Sequence, residues 1–199
     1  MPRISLTDFV DVVSKSGTPK ANKVAQIKNR PEYAPAVDFY KPLREFIVDN
    51  HKSGLPKFAI TSVLASITDP KKLSNYPAVA EGYRKWWGNK VLEWFDPAVG
   101  SFAAHGVDVV VNPELGLFVN GTPYVIKLYF KADPLSKTRV DVVTHMMEEA
   151  LRGSFTGDET MAVLDVRRAK LLAPTVPIPR LTAALHAELA YIAAIWEEV

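Results

Sequence analysis

Residues 111–131 read VNPELGLFVNGTPYVIKLYFK, and they predict a β-hairpin. Two mostly apolar segments, 115–119 and 122–130, lie on either side of Asn120-Gly121. This dipeptide favours a two-residue hairpin turn, because both central residues of such a turn need a positive φ angle. We therefore expect two antiparallel strands joined at this dipeptide.

The turn also predicts the strand register and the side of the sheet to which each side chain points. A two-residue turn pairs Val119 with Thr122, and continued pairing places Glu114 opposite Lys127. Successive side chains alternate between the two faces of a sheet. The expected core face carries Leu115, Leu117, Val119, Tyr124, Ile126, Leu128 and Phe130, and the opposite, more polar face carries Asn112, Glu114, Gly116, Phe118, Val125, Lys127, Tyr129 and Lys131.

The composition is ordinary for a globular protein. The chain has 199 residues, of which 48% are apolar and 23% charged, with a formal net charge of +2. Its length allows one elaborated domain or two small ones, and so small a net charge does not by itself predict a nucleic-acid partner. The lack of cysteine excludes disulfides and thiolate metal sites. Because no run of about eighteen apolar residues and no signal-peptide pattern occurs, we expect a cytoplasmic protein without a membrane partner.

The first 95 residues are predicted to be mostly helical. Ser5 and Asp8 have the spacing of a capping box at the start of a helix. Apolar side chains at helical spacing indicate helices within segments 5–14, 32–54, 57–67 and 75–95.

Strands and helices alternate in the second half of the chain. Besides the hairpin, apolar and β-branched runs predict strands over 107–111 and 159–172. Helices are predicted over 135–153 and 181–196, and an extended proline-rich segment, PTVPIPR at 174–180, leads into the second of them. The predicted order is therefore helix, three strands, helix, strand, helix.

This order, together with Pro113-Glu114 on one strand and Lys127-Leu128-Tyr129 on the next, resembles the restriction-endonuclease-like PD-(D/E)XK superfamily. The resemblance covers roughly residues 80–199. It implies an α/β fold with an N-terminal helical portion and a restriction-endonuclease-like αβββαβα core. We accordingly expect a helical N-terminal subdomain, 1–78, and a nuclease-like core, 79–199, or one continuous domain formed by both.

In that superfamily, an acid on one strand and an acid-x-lysine sequence on its partner hold a divalent ion and position a water for attack on a phosphodiester. The resemblance makes Glu114 the first acid, whereas Lys127 stands at the position of the second acid and Tyr129 at that of the lysine. An ammonium group in place of a carboxylate removes a metal ligand and adds a positive charge beside the ion. We therefore expect a cross-strand ion pair between Glu114 and Lys127, with no metal and no cofactor.

Residual cleavage is the alternative at these three positions. It would depend on Mg²⁺, with Glu114 as a ligand and Lys127 stabilising the phosphorane or positioning the scissile phosphate. Asp108, which has the same strand parity, and Glu93, expected on the preceding helix, could complete a displaced site. Other chemistries have no support, because the four histidines lack HxxxH or HExxH spacing and no phosphate-binding glycine loop or GxSxG sequence occurs.

Basic residues fall into three groups along the chain: within 15–30, between Lys127 and Arg139, and between Arg167 and Arg180. If the groups converge on one side of the protein, they could hold the phosphate backbone of DNA or RNA without reading its sequence. The residues expected to contact the backbone are Lys127, Lys131, Arg167, Arg168 and Lys170. Three separate solvated faces are the alternative arrangement.

The sequence thus favours a nucleic-acid-associated protein on a degenerate nuclease-like scaffold, without metal-dependent cleavage. The alternative is a protein-interaction or scaffold subunit with no nucleic-acid ligand, such as a homodimer formed through the helix that carries Trp86-Trp87. A third hypothesis is a protein that binds an anion or small molecule on the polar face of the hairpin.

Overall fold

The computed structural model describes residues 1–31, 38–174 and 180–199. The strands of this part of the chain are β1 (Arg3–Ser5), β2 (Leu92–Phe95), β3 (Gly100–Ala104), β4 (Val107–Val111), β5 (Leu115–Val119), β6 (Thr122–Tyr129), β7 (Thr160–Asp165) and β8 (Lys170–Leu172). They form two sheets: the first sheet has the order β1-β4-β3, and the second sheet has the order β2-β5-β6-β7-β8. The chain is therefore a mixed α/β protein, as predicted.

Seven α-helices accompany these strands in the described residues: α1 (Leu6–Val13), α2 (Gly17–Lys28), α3 (Lys41–Lys52), α4 (Ser62–Ala65), α5 (Pro70–Trp87), α6 (Lys137–Leu151) and α7 (Leu181–Trp196). Ser5 begins α1 as predicted, since its hydroxyl accepts a hydrogen bond from the Asp8 backbone N–H at 3.1 Å and donates one to the Asp8 carboxylate at 2.8 Å. None of the described helices is long and apolar enough to cross a membrane. Residues 32–37 and 175–179, which belong to a predicted helix and to the predicted extended segment, lie outside the described residues.

The predicted hairpin and its register are confirmed. β5 and β6 are antiparallel, and Val119 is paired with Thr122, Leu117 with Tyr124 and Leu115 with Ile126. Asn120 and Gly121 have φ angles of 50° and 84°, as a turn of this kind requires. β6 also pairs with β7 in parallel, which is possible because α6 connects these two strands.

Both faces of the hairpin are buried over much of their length. Leu115 and Ile126 on the expected core face belong to the second core, which lies between the second sheet and helices α3 and α5. Val125 on the opposite face is equally buried, in the first core, which the first sheet, α1, α6 and α7 share with that face. The polar character of this face is therefore confined to the end that carries Glu114 and Lys127.

The predicted helix over 75–95 is too long. α5 ends at Trp87, because Gly88 takes a φ angle of 54°, and residues 92–95 form strand β2 along the edge of β5. The side chains of Lys57 and Lys90 donate to the carbonyls of Gly88 and Trp86, so the end of the helix is capped by positive charge. Glu93 consequently lies on a strand rather than on a helix.

The predicted strand over 159–172 consists of two strands. β7 and β8 are antiparallel and joined by a tight turn, in which Ala169 has a positive φ angle. The segment 57–67, predicted as a helix, contains a 3-10 segment, Lys57–Thr61, followed by the single turn of α4. Local apolar spacing does not distinguish these shorter elements from longer ones.

The three consecutive strands of the prediction do not belong to one sheet. β4 pairs with β1 and β3 in the first sheet, whereas β5 and β6 pair in the second. The chain leaves one sheet for the other around Pro113, whose missing N–H makes it a poor member of a continuous strand. Strands β1, β2 and β3 were not predicted. β1 and β2 pair with strands that are distant along the chain, and β3 pairs with β4 across a turn that the sequence analysis did not identify.

His51 lies in the second core, where its ring contacts the hydroxyl of Tyr83 and stacks on Trp87 at a centroid distance of 4.6 Å. Burial lowers the pKa of His51 to about 4 and raises that of Tyr83 well above its usual value. His51 is therefore neutral in the folded protein at neutral pH, although an unfolded chain would protonate it below about pH 6.5.

We expect the free energy of unfolding to fall as the pH is lowered from about 6.5 to about 4, because the unfolded chain binds the His51 proton that the folded protein excludes. This group can contribute up to about 1.4 kcal/mol per pH unit in that window. Urea unfolding at several pH values should give a shallower dependence for His51→Leu than for the wild type. Parallel curves for the two proteins would contradict this assignment.

Gly82 allows α5 to lie directly on the second sheet. A Cβ atom at this position would be 2.2 Å from the carbonyl oxygen of Val166 and 2.9 Å from that of Arg167, both of which are backbone atoms. Because backbone atoms cannot move aside as a flexible side chain does, the helix itself would have to shift.

The substitution Gly82→Ala should therefore lower the free energy of unfolding by about 1–3 kcal/mol, in spite of the higher helix propensity of alanine. Gly153→Ala is the matched control, because no atom lies within 4 Å of its would-be Cβ, and it should stay within about 0.5 kcal/mol of the wild type. Chemical denaturation measures both. Equal free energies of unfolding for the two variants would show that α5 does not pack this tightly against the backbone of Val166 and Arg167.

Candidate functional site

A cleft of about 700 Å³ opens beside the C-terminal half of β6. One wall comes from α1 and another from the segment around Tyr40, and the polar end of the hairpin forms the floor. Four of the predicted site residues line this cleft: Glu114, Lys127, Tyr129 and Lys131. The other polar or charged side chains in the lining are Ser5, Thr7, Asp8, Arg30, Asp38, Tyr40, Arg44, Asn112 and Arg139.

The predicted ion pair forms the floor of the cleft. Lys127 Nζ lies 2.7 Å from Glu114 Oε1, and each of the two side chains is 12% exposed. Lys127 also donates to the carbonyl oxygen of Asn112 at 2.8 Å, while Glu114 Oε2 accepts the backbone N–H of Leu128 at 2.8 Å. Both charged groups are thus satisfied within the protein, so a divalent cation would have to compete with an ammonium group for the Glu114 carboxylate.

Tyr129 occupies the position where the resemblance places a catalytic lysine. Its hydroxyl donates to the carbonyl oxygen of Asp133 at 3.0 Å. Burial raises the pKa of this phenol above its ordinary value, and the nearby Arg139 opposes the shift only in part. Tyr129 therefore remains a neutral hydrogen-bonding group near neutral pH and cannot supply the positive charge of a lysine.

The acids considered for a displaced metal site do not meet Glu114 in the cleft. Glu93 is exposed on β2, opposite Phe118. Asp108 lies in the first sheet, where it pairs with Arg3 at 3.3 Å. Throughout the described ranges, no group of three or more histidine, aspartate or glutamate side chains is placed so that it could hold a metal ion.

Three cations converge on a single carboxylate at the mouth of the cleft. Asp11 of α1 lies 3.0 Å from Arg139, 3.1 Å from Lys131 and 3.5 Å from Lys23. Burial would raise the pKa of Asp11, but the hydrogen bond and charge of Lys131 and the charges of Lys23 and Arg139 hold it below its usual value. We call these four residues the Asp11 cluster. It carries three positive charges against one negative charge, and two of its cations line the cleft.

Arg30 extends the positive side of the cleft. Its guanidinium contacts the Asp8 carboxylate at 2.6 and 3.2 Å and is half exposed. The hydrogen bond with Asp8 raises the pKa of Arg30, which is therefore permanently charged. Arg44 and Asp38 form a further pair at 2.7 Å in the same lining.

The other predicted nucleic-acid contacts lie outside the lining of the cleft. Arg167 donates to the Phe130 carbonyl at 2.8 Å and to the Asn75 side chain at 2.9 Å. Arg168 donates to the Ala132 carbonyl at 2.6 Å and pairs with Asp165 at 3.2 Å, so these two arginines hold loops and strand ends together. Lys170 is exposed at the start of β8.

The acidic centre of this site was not predicted from the sequence. Asp11 was given no role in a site, and its three partners are scattered over α2, α6 and the residues just after β6. A possible signal was the acid-free basic segment 15–30, because its cations need acidic partners from elsewhere in a folded chain.

Removal of one partner from the ion pair on the floor should be costly. We expect Glu114→Ala to lower the free energy of unfolding by about 1–3 kcal/mol, because it leaves the Lys127 ammonium without its anionic partner and the Leu128 N–H without its acceptor. Chemical denaturation should also show that Glu114→Leu combined with Lys127→Met costs less than the sum of the single changes, since both charges leave together. Lys137→Ala, which breaks an exposed pair, is the control and should cost under about 0.5 kcal/mol. Additive effects would show that the two groups are not coupled.

No family model, curated protein or solved structure matches the chain. The relation to PD-(D/E)XK proteins therefore stays a prediction from the sequence. What the cleft can bind has to be inferred from its own side chains, their charges and the space between them.

Proposed function

We propose that this protein binds the phosphate groups of a single nucleic-acid strand at the mouth of the cleft and does not cleave the strand by a metal-dependent reaction. The observation that carries this proposal is the Asp11 cluster, in which three cations share one carboxylate. A phosphate group placed against Lys131 and Arg139 would offset the excess positive charge and accept charge-assisted hydrogen bonds.

The dimensions of the cleft favour a strand over a duplex. About 700 Å³ is within the range of pockets that hold small ligands, and it suits one unpaired nucleotide rather than a double helix. Tyr40 and Tyr129 line the same space and offer aromatic surface to a base. Tyr40 is held in place by stacking on Phe130, at a centroid distance of 5.2 Å and an interplanar angle of 18°.

The absence of hydrolysis is proposed from the floor of the cleft. Glu114, the one acid that matches the nuclease pattern, is already bonded to Lys127 and to the Leu128 N–H. A degenerate restriction-endonuclease-like core is part of the proposal. It is supported by the order α5, β2, β5, β6, α6 and β7 along the second sheet, with β3 and β4 as an excursion to the first sheet, against which α7 packs.

Fluorescence anisotropy of labelled single- and double-stranded DNA and RNA, at two salt concentrations, tests the proposal. We expect single strands to bind more tightly than duplexes, with an affinity that falls as salt is added. Lys131→Glu and Arg139→Glu should each weaken binding more than tenfold, because each places a negative charge where a phosphate is bound. Addition of Mg²⁺ should produce no cleaved strand on a gel.

Lys85→Glu is the matched control, because it makes the same change of charge at an exposed residue outside the lining of the cleft. If Lys170→Glu weakens binding as much as Lys131→Glu, a wider basic surface and not the cleft holds the strand. If no oligonucleotide binds at low salt, the proposal is wrong. Competition by a mononucleotide or by inorganic phosphate at equal affinity would indicate a protein that binds small anions.

A scaffold subunit is the second candidate, and exposed apolar side chains beside β2 favour it. Val91, next to the edge strand β2, is 61% exposed, and Phe118 on the adjacent strand β5 is 38% exposed. Helix α5, which carries Trp86-Trp87, offers less exposed apolar surface, because Trp86 is buried in the second core. Self-association that persists at high salt in sedimentation experiments, without binding of nucleic acid, would support this candidate over the first.

A further inference from the structure

Two histidines that are distant in sequence lie side by side on the surface, with ring nitrogens 3.2 Å apart. His105 Nε2 faces His186 Nδ1 at this separation, and the two rings are nearly perpendicular, at 86°. His105 lies in the turn between β3 and β4, where it and Gly106 have φ angles of 51° and 76°. His186 lies within α7, and the ring of Phe102 packs edge-on against it.

The separation of the two nitrogens is that of two neighbouring ligands on one metal ion. Imidazole nitrogens bind divalent transition metals at about 2.0–2.1 Å, so two of them at an angle between a right angle and a tetrahedral one lie about 2.9–3.4 Å apart. His105 is exposed to solvent, which leaves the remaining coordination positions open to water. The turn and the helix bring the two rings together without a metal.

We propose that His105 and His186 form a surface site for a divalent transition metal such as Cu²⁺, Ni²⁺ or Zn²⁺. Without metal, the N–H of one ring donates a hydrogen bond to the facing nitrogen of the other ring. Metal binding places the ion between His105 Nε2 and His186 Nδ1, both of which then donate a lone pair, and the proton that lay between them moves to the far nitrogen of the donor ring, so that both imidazoles stay neutral. The bound ion would connect the β3–β4 turn to α7. This inference is independent of the proposed nucleic-acid function, because neither histidine lines the cleft.

The side chains of the other two histidines already have partners within the protein. His51 is buried against Tyr83 and Trp87 in the second core. His145 bonds to the Thr182 hydroxyl at 2.9 Å and lies 3.6 Å from Glu149. His145 is therefore a matched control for the loss of a partly exposed imidazole.

Titration of the untagged, full-length protein with Cu²⁺ tests the site, since copper forms the strongest complexes in the divalent series. Calorimetry should show one site, and electron paramagnetic resonance should show nitrogen ligands on the ion. His105→Asn and His186→Gln should each weaken binding at least tenfold, whereas His145→Ala should leave it unchanged. Asparagine is chosen at position 105 because it tolerates the positive φ angle.

A rise in the melting temperature on addition of Cu²⁺, present in the wild type and absent in both variants, is the second expected result. The melting transition of each variant without metal verifies that the variant is folded. The proposal is overturned if the wild type does not bind the metal, or if the double variant binds it with unchanged affinity.

Discussion

The pairing of β6 with its two neighbours is the constraint on which the rest of the structure depends. β6 is antiparallel to β5 and parallel to β7, and its side chains alternate between two cores. Val125 points into the first core and Ile126 into the second. A shift of the pairing by one residue would exchange the contents of the two cores and separate Glu114 from Lys127. The same register that holds the sheet together therefore also builds the floor of the cleft.

Local rules were sufficient for the elements whose determinants lie close together in the chain. The Asn120-Gly121 turn, the start of α1 at Ser5 and the amphipathic helix α7 were all predicted, because a few neighbouring residues specify each of them. β1 and β3 could not be predicted in the same way, since their pairing with β4 is decided by packing. β2 was read as helix because apolar residues on both sides of Gly88 fit helical spacing, which conceals the positive φ angle of this glycine.

The same distinction applies to the candidate site. Glu114, Lys127, Tyr129 and Lys131 were predicted as neighbours because they share one face of one hairpin, and they do line one cleft. The Asp11 cluster joins three further elements, so only tertiary packing reveals it. Arg167 illustrates the reverse case: in sequence it looks like a surface cation, but its hydrogen bonds to Phe130 and Asn75 give it a structural role. Charge alone does not indicate whether an arginine faces a ligand or the protein itself.

The position of β1 affects the order in which the protein can assemble during synthesis. Arg3 pairs with Asp108, and the Asp108 N–H donates to the Pro2 carbonyl at 2.9 Å, so the partners of β1 lie far along the chain. Until β4 has been translated, β1 has nothing to pair with, and α1, which follows it directly, has no fixed place. The α1 wall of the cleft is therefore synthesised before the strands that fix its position.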